Sequence, residues 1–157
     1  MSSLDSLYQQ IILEHSKTRS GGDLPESETA AAPGTPGVGQ CHQLNPVCGD
    51  EITLRLELSA DRSTVAGIHW NGDGCAISMA SASILSEEAA GADPRHLKEL
   101  IDTFRDLMRS RGSIEADEEV LGDAAALAGV SKYPARVKCA MLAWVAAEDA
   151  LRQALAE

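Results

Sequence analysis

Ile52, Leu54, Leu56 and Leu58 alternate with Glu51, Thr53, Arg55 and Glu57, a period of two that predicts a strand with one buried face. Ser59 to Ser63 reads as a turn and Val65 to Trp70 as the return strand of a hairpin, with Val38 to Leu44 a weaker third strand beside them. Such a sheet has one apolar face and needs helices to cover it. Upstream, Leu4, Leu7, Tyr8, Ile11 and Ile12 recur at spacings of three and four, a helical stripe over Leu4 to Lys17. Downstream, Cys75 to Ala90 predicts a helix rich in small residues that permit close approach to another element. Asp93-Pro94 supplies an N-cap followed by Pro at the first helical position, and Arg111-Gly112 ends that helix. Val120 to Ala128 predicts a short helix. Ser131 and Pro134 open the last one, with Val137, Met141, Trp144, Val145, Leu151 and Leu155 marking one face.

Between Arg19 and Gln40 the periodicity is lost. The run Ala30 to Gly37 is dominated by Ala, Pro and Gly, and too little apolar surface is on offer to offset the entropy of ordering it. The chain therefore predicts a single α+β domain over 1–157: a small, about three-stranded antiparallel sheet covered by helices, with a flexible loop at about 19–40.

Composition narrows the function classes. A length of 157 residues suits one domain with a real core. Aromatics are only 3% against 44% apolar residues overall, so Ala, Leu, Ile and Val must do the packing. With 24 acidic and 13 basic residues the net charge is -11, which repels phosphate backbones, and no basic patch stands out to make a nucleic-acid partner plausible. Met1 to Tyr8 has neither a basic nor an apolar signal-peptide region, and no apolar run approaches about 18 residues, so neither secretion nor a membrane span is expected. The expected compartment is the reducing cytoplasm, where cysteines are thiols or metal ligands rather than disulfides.

Cys48, Asp50, Cys75 and Cys139 carry the candidate chemistry. Cys48 and Asp50 flank Gly49, which can adopt backbone angles that let both side chains point to one ion. Cys75 follows Gly72-Asp73-Gly74 at a helix start, where the partial positive charge favours the thiolate. Cys139 lies beside Lys138 and near Arg136. Three thiolates and one carboxylate suffice for a four-coordinate zinc, and the absence of any CxxC pair excludes a zinc ribbon or finger. Each cysteine alone could be an ordinary buried thiol. Jointly that reading weakens, because two of the three adjoin Gly-Asp or Asp-Gly turns. Cys41 lies outside any such turn and is assigned to packing. His15, His69 and His96 read as surface or satisfied histidines, and His42 has no supporting ligand spacing. Glu26, Glu28 and the Glu115 to Glu119 cluster read as solvated charges.

The strings Asn45-Pro46-Val47-Cys48-Gly49-Asp50, Gly74-Cys75-Ala76-Ile77-Ser78-Met79-Ala80-Ser81-Ala82-Ser83, Leu121-Gly122-Asp123 and Val130 to Ala140 resemble the U-type iron–sulfur assembly family. The N-terminal Leu7 to His15 fits as well. Lys138, where IscU-type scaffolds carry a histidine, and the long stretch between Cys75 and Cys139 make the resemblance one to the SufU branch. The resemblance implies a SufE/NifU-like fold. It also implies a zinc-dependent sulfurtransferase that takes persulfide sulfur from a SufS-type cysteine desulfurase and passes it toward downstream cluster-assembly proteins. Pyridoxal phosphate would belong to the desulfurase. Zinc would be held by Cys48, Asp50, Cys75 and Cys139, Cys48 would receive the sulfur, and Arg136 would support the encounter with the desulfurase. The alternative is a scaffold on which a transient iron–sulfur cluster is assembled. Two departures from the family stand out: the longer, Gly/Pro-rich segment from Lys17 to Gln40, and Cys41 in place of an apolar residue.

Overall fold

The computed structural model describes residues 3–30, 34–47 and 49–156. Helix α1 (Ser3–Thr18) precedes strands β1 (Val38–Asn45), β2 (Asp50–Leu58) and β3 (Val65–Asp73), and helices α2 (Ala76–Ala89), α3 (Pro94–Arg109), α4 (Glu118–Leu121) and α5 (Pro134–Leu155) follow. The sheet is antiparallel in the order β1-β2-β3, with Asn45 opposite Asp50 and Leu54 between Cys41 and Trp70. The alternating leucines of β2 are buried, as their period requires. Helix α5 covers β1 and β2, α2 packs on β3 and α5, and α1 lies on α2. Phe104 of α3 stacks on Trp144 of α5 with ring centroids 4.0 Å apart. Among the described residues no helix is long and apolar enough to cross a membrane.

The last helix differs from its sequence pattern. Val145 and Leu155, assigned to its buried face, are exposed, whereas Ala140, Ala143, Ala146, Ala147, Ala150 and Ala154 are buried. The reason is distance. Helix α5 lies so close to β1 that a Cβ added at Gly39 would fall 1.8 Å from the Ala150 carbonyl oxygen. Only small residues fit that seam, and a hydrophobicity pattern weighted toward large side chains misses it. Gly39→Ala is expected to destabilise the fold by about 1–3 kcal/mol or more, because backbone rather than a flexible side chain must move. Denaturant unfolding measures this, and an unchanged midpoint would show that the seam has slack.

Strand β1 is stronger than predicted. Its eight residues pair fully with β2. Its free edge is partly closed by the Gln153 side chain, whose Nε2 donates to the Gln40 carbonyl at 2.9 Å while its Oε1 accepts the Gln40 N–H at 3.2 Å. That amide stands where another strand would pair.

The segment expected to be mobile is, over residues 19–30, held by hydrogen bonds rather than by an apolar face. Trp70 N donates to Gly21 O at 2.7 Å, Leu24 N to Trp70 O at 3.1 Å, and the Trp70 indole to Ser20 O at 2.8 Å. Leu24 is buried. Glu28, read as a solvated charge, pairs with Arg55 at 2.7 Å, and its carbonyl accepts Gln40 Nε2. Residues 31–33 lie outside the described residues. The short helix predicted over Val120 to Ala128 is instead α4 followed by a 3-10 segment, Gly122–Lys132, which also contains Ser131, so Pro134 alone opens α5.

Candidate metal centre

Asp50, Cys75 and Cys139 come from three different elements and meet in space. Asp50 opens β2 and is 3% exposed, Cys75 is the exposed N-cap of α2, and Cys139 is buried in the second turn of α5. One ligand atom from each lies within 4.8 Å of the other two. Local conformation brings them there. Gly49 has φ +76°, a left-handed value that turns the chain from β1 into β2 just before Asp50. A Cβ on Gly74 would approach Asp50 Oδ1 to 2.7 Å, so the absence of a side chain there lets the carboxylate lie against the start of α2. Cys48, the remaining predicted ligand and the predicted sulfur acceptor, lies outside the described residues.

A buried carboxylate requires donors. Asp50 Oδ1 accepts the Cys75 N–H at 3.1 Å, and Oδ2 accepts the Ser78 hydroxyl at 2.5 Å and the Cys75 thiol at 3.5 Å. Cys75 Sγ also accepts the Ser78 N–H at 3.5 Å, the bond that caps α2, and Cys139 Sγ contacts the Ala135 carbonyl at 3.8 Å. The donor set fits zinc, two soft sulfurs and a hard oxygen. A tetrahedral ion about 2.3 Å from sulfur and about 2.0 Å from oxygen holds those atoms about 3.5 Å apart. The Cys75 Sγ to Asp50 Oδ2 distance is 3.5 Å.

Arg136 is exposed, with its guanidinium 5.1 Å from the Tyr133 ring. With Tyr8, Ile12, Ile77 and Tyr133 it lines a cleft of about 570 Å³ between α1 and the start of α5. Tyr8 donates to Glu118 at 2.5 Å, and that carboxylate pushes the phenol up to about 12. Cys41 is elsewhere, half-buried on β1. Burial raises its thiol pKa above the usual range, and the neighbouring Gln43 amide only partly offsets this. His15 is buried and satisfied on both nitrogens, Nδ1 at 2.8 Å from Ser83 Oγ and Nε2 at 3.0 Å from Asp123, which ties α1 to α2 and the 3-10 segment. His42 pairs with Glu51 and His69 with Asp23.

Two residues escaped the sequence reading. Arg19, in a left-handed conformation at φ +51°, donates to the Gly72 carbonyl and the Met79 sulfur and lies 4.9 Å over the Trp70 ring. Ser78 sits among all three candidate ligands. Its only sequence signal is its place three residues after a helix cap.

The sequence matches the NifU-like N-terminal domain over residues 7–140. The chain belongs to that family. It is 40% identical over 147 residues to the zinc-dependent sulfurtransferase SufU of Bacillus subtilis (strain 168), covering 92% of this chain and 89% of the relative. It is 32% identical over 154 residues to the iron–sulfur cluster assembly scaffold protein IscU of Streptococcus pyogenes serotype M1, covering 98% and 87%. A crystal structure of a putative iron–sulfur cluster assembly scaffold protein for the SUF system from Fervidobacterium islandicum AW-1 superposes with a TM-score of 0.75 at 29% identity, covering 93% of this chain and 97% of the other. This member of the NifU-like family thus has the fold its motifs implied, among the described residues a three-stranded antiparallel sheet with five α-helices.

Proposed function

We propose that this protein is a zinc-dependent sulfur acceptor that takes persulfide sulfur from a SufS-type cysteine desulfurase for iron–sulfur cluster assembly. The observation that carries the reading is the meeting of Asp50, Cys75 and Cys139 at zinc-ligand spacing, beside a turn whose sequence holds Cys48. Similarity to a relative named for zinc-dependent sulfur transfer supports it. In this reading Cys48, Asp50, Cys75 and Cys139 hold the ion, which when bound keeps thiolates deprotonated at neutral pH.

Cys48 is the acceptor. Its thiolate attacks the outer sulfur of the desulfurase's cysteine persulfide, the old S–S bond breaks, and the desulfurase cysteine departs as a thiolate. Cys48 is left carrying the persulfide, with no external oxidant or reductant. The Cys75 backbone N–H holds Asp50 Oδ1 at 3.1 Å, a bond that persists when the Cys75 thiol is deprotonated. Arg136, an exposed cation on an acidic chain, offers the partner a complementary charge. The reaction belongs in the cytoplasm, where thiols stay reduced.

The scaffold reading has its own support, the similarity to a relative named as an IscU scaffold. Lys138, where such scaffolds carry histidine, weighs against it. Elemental analysis of protein purified without added metal separates the two. The expected result is about one zinc per chain, filling one four-ligand site. Stoichiometric iron and sulfide with zinc absent would transfer the assignment to the scaffold.

A further inference from the structure

The Ser78 hydroxyl is in contact with each of the three meeting residues. Its Oγ lies 2.5 Å from Asp50 Oδ2, 3.5 Å from Cys75 Sγ and 3.3 Å from the Cys139 carbonyl oxygen, and the residue is 3% exposed. A hydroxyl has one proton to give. The shortest contact is with a carboxylate, which when ionised only accepts, so the proton is directed at Asp50 Oδ2. The Cys75 N–H holds the other oxygen at 3.1 Å. Asp50 is thereby gripped at both oxygens by donors from the first turn of α2, and its side chain cannot rotate without breaking one of them.

We propose that Ser78 is a positioning residue of the metal centre, fixing the Asp50 carboxylate so that it faces the same point as the Cys75 and Cys139 sulfurs. This rests on the reading that Asp50, Cys75 and Cys139 hold zinc. A carboxylate can ligate through one oxygen or two and can swing about its own bonds. Hydrogen bonds that orient it remove that freedom before the ion arrives, and loss of such a partner typically weakens metal binding. Ser78 also holds Cys75 Sγ through its backbone N–H, and that bond survives any side-chain substitution. Ser78→Ala therefore removes the grip on Asp50 while leaving the helix cap in place.

Zinc affinity, measured by competition with a chromophoric chelator, tests this in four proteins: wild type, Ser78→Ala, Asp50→Ala and the double variant. Ser78→Ala is expected to lose about 10–100-fold in zinc affinity. In the Asp50→Ala background the same substitution should cost almost nothing, because the group it positions is gone. A purely structural serine would lower the melting temperature of the metal-free protein and weaken zinc equally in both backgrounds. Equal losses in the two backgrounds, or no loss from Ser78→Ala, overturn the positioning role while leaving the zinc site intact. A wild-type protein that binds no zinc overturns the site and the positioning role together. The double comparison stays decisive if Ser78→Ala is less stable, since that penalty enters both backgrounds.

Discussion

Stripping the ion with a chelator is expected to lower the melting temperature by about 8–16 °C. The proposed ligands lie at the start of β2, at the cap of α2 and within α5, so one ion ties the sheet to both helices that cover it. An ion present at about 1,000 times its dissociation constant stabilises the state that binds it by about 4 kcal/mol. Each kcal/mol moves the midpoint of a domain this size by about 2–4 °C. Thermal unfolding of metal-free and zinc-loaded protein, followed by circular dichroism, gives the difference directly. Coincident curves would mean that the site does not bridge those elements.

The second large effect concerns Cys48. Cys48→Ala is expected to abolish stimulation of a partner desulfurase, since in the proposed reading Cys48 is the residue that receives the sulfur. Cys41→Ala should leave stimulation intact. Cys41 is half-buried on β1, its thiol pushed up by burial, and it is not among the residues that meet at the centre. Asp50→Ala is the informative intermediate. It keeps every sulfur but leaves the Cys75 N–H without its acceptor, at a cost of about 1–3 kcal/mol, while the Ser78 hydroxyl can turn to the Cys139 carbonyl 3.3 Å away. It should lose activity through disordered ligation, with its zinc content reduced, whereas Cys48→Ala should lose activity out of proportion to any loss of zinc. Full stimulation by Cys48→Ala would overturn the proposed acceptor role of Cys48.

What could be read from the chain follows the physics of each element. The β2 alternation was legible because its apolar face is buried while the opposite face carries polar residues, although Thr53 there is buried too, and Asp93-Pro94 because a cap and a first-turn proline are local chemistry: Asp93 accepts the Arg95 N–H at 2.8 Å. The dispersed ligands could be nominated because turn residues such as Gly49 and Gly74 sit beside them, and the structure uses both glycines. The burial of α5 was legible only in part: Trp144 and Leu151 are buried as read, while Val145 and Leu155 are exposed. Its contact with β1 is set by a glycine and a row of alanines, whose hydrophobicity is too slight to mark a face. Residues 19–30 were opaque for a related reason, since their order comes from backbone bonds to Trp70 and an Arg55–Glu28 pair rather than from apolar spacing. Ser78 was hidden because its partners are 28 and 61 residues away in sequence, and only the folded chain brings them to it.

Mass spectrometry of the chain after reaction with a cysteine desulfurase and cysteine, without reductant, tests the central claim most directly. Peptide mapping should find one additional sulfur on the peptide that contains Cys48, and none on those containing Cys41, Cys75 or Cys139. Extra sulfur on Cys41, or desulfurase turnover stimulated in full with no persulfide anywhere on this chain, would contradict the account.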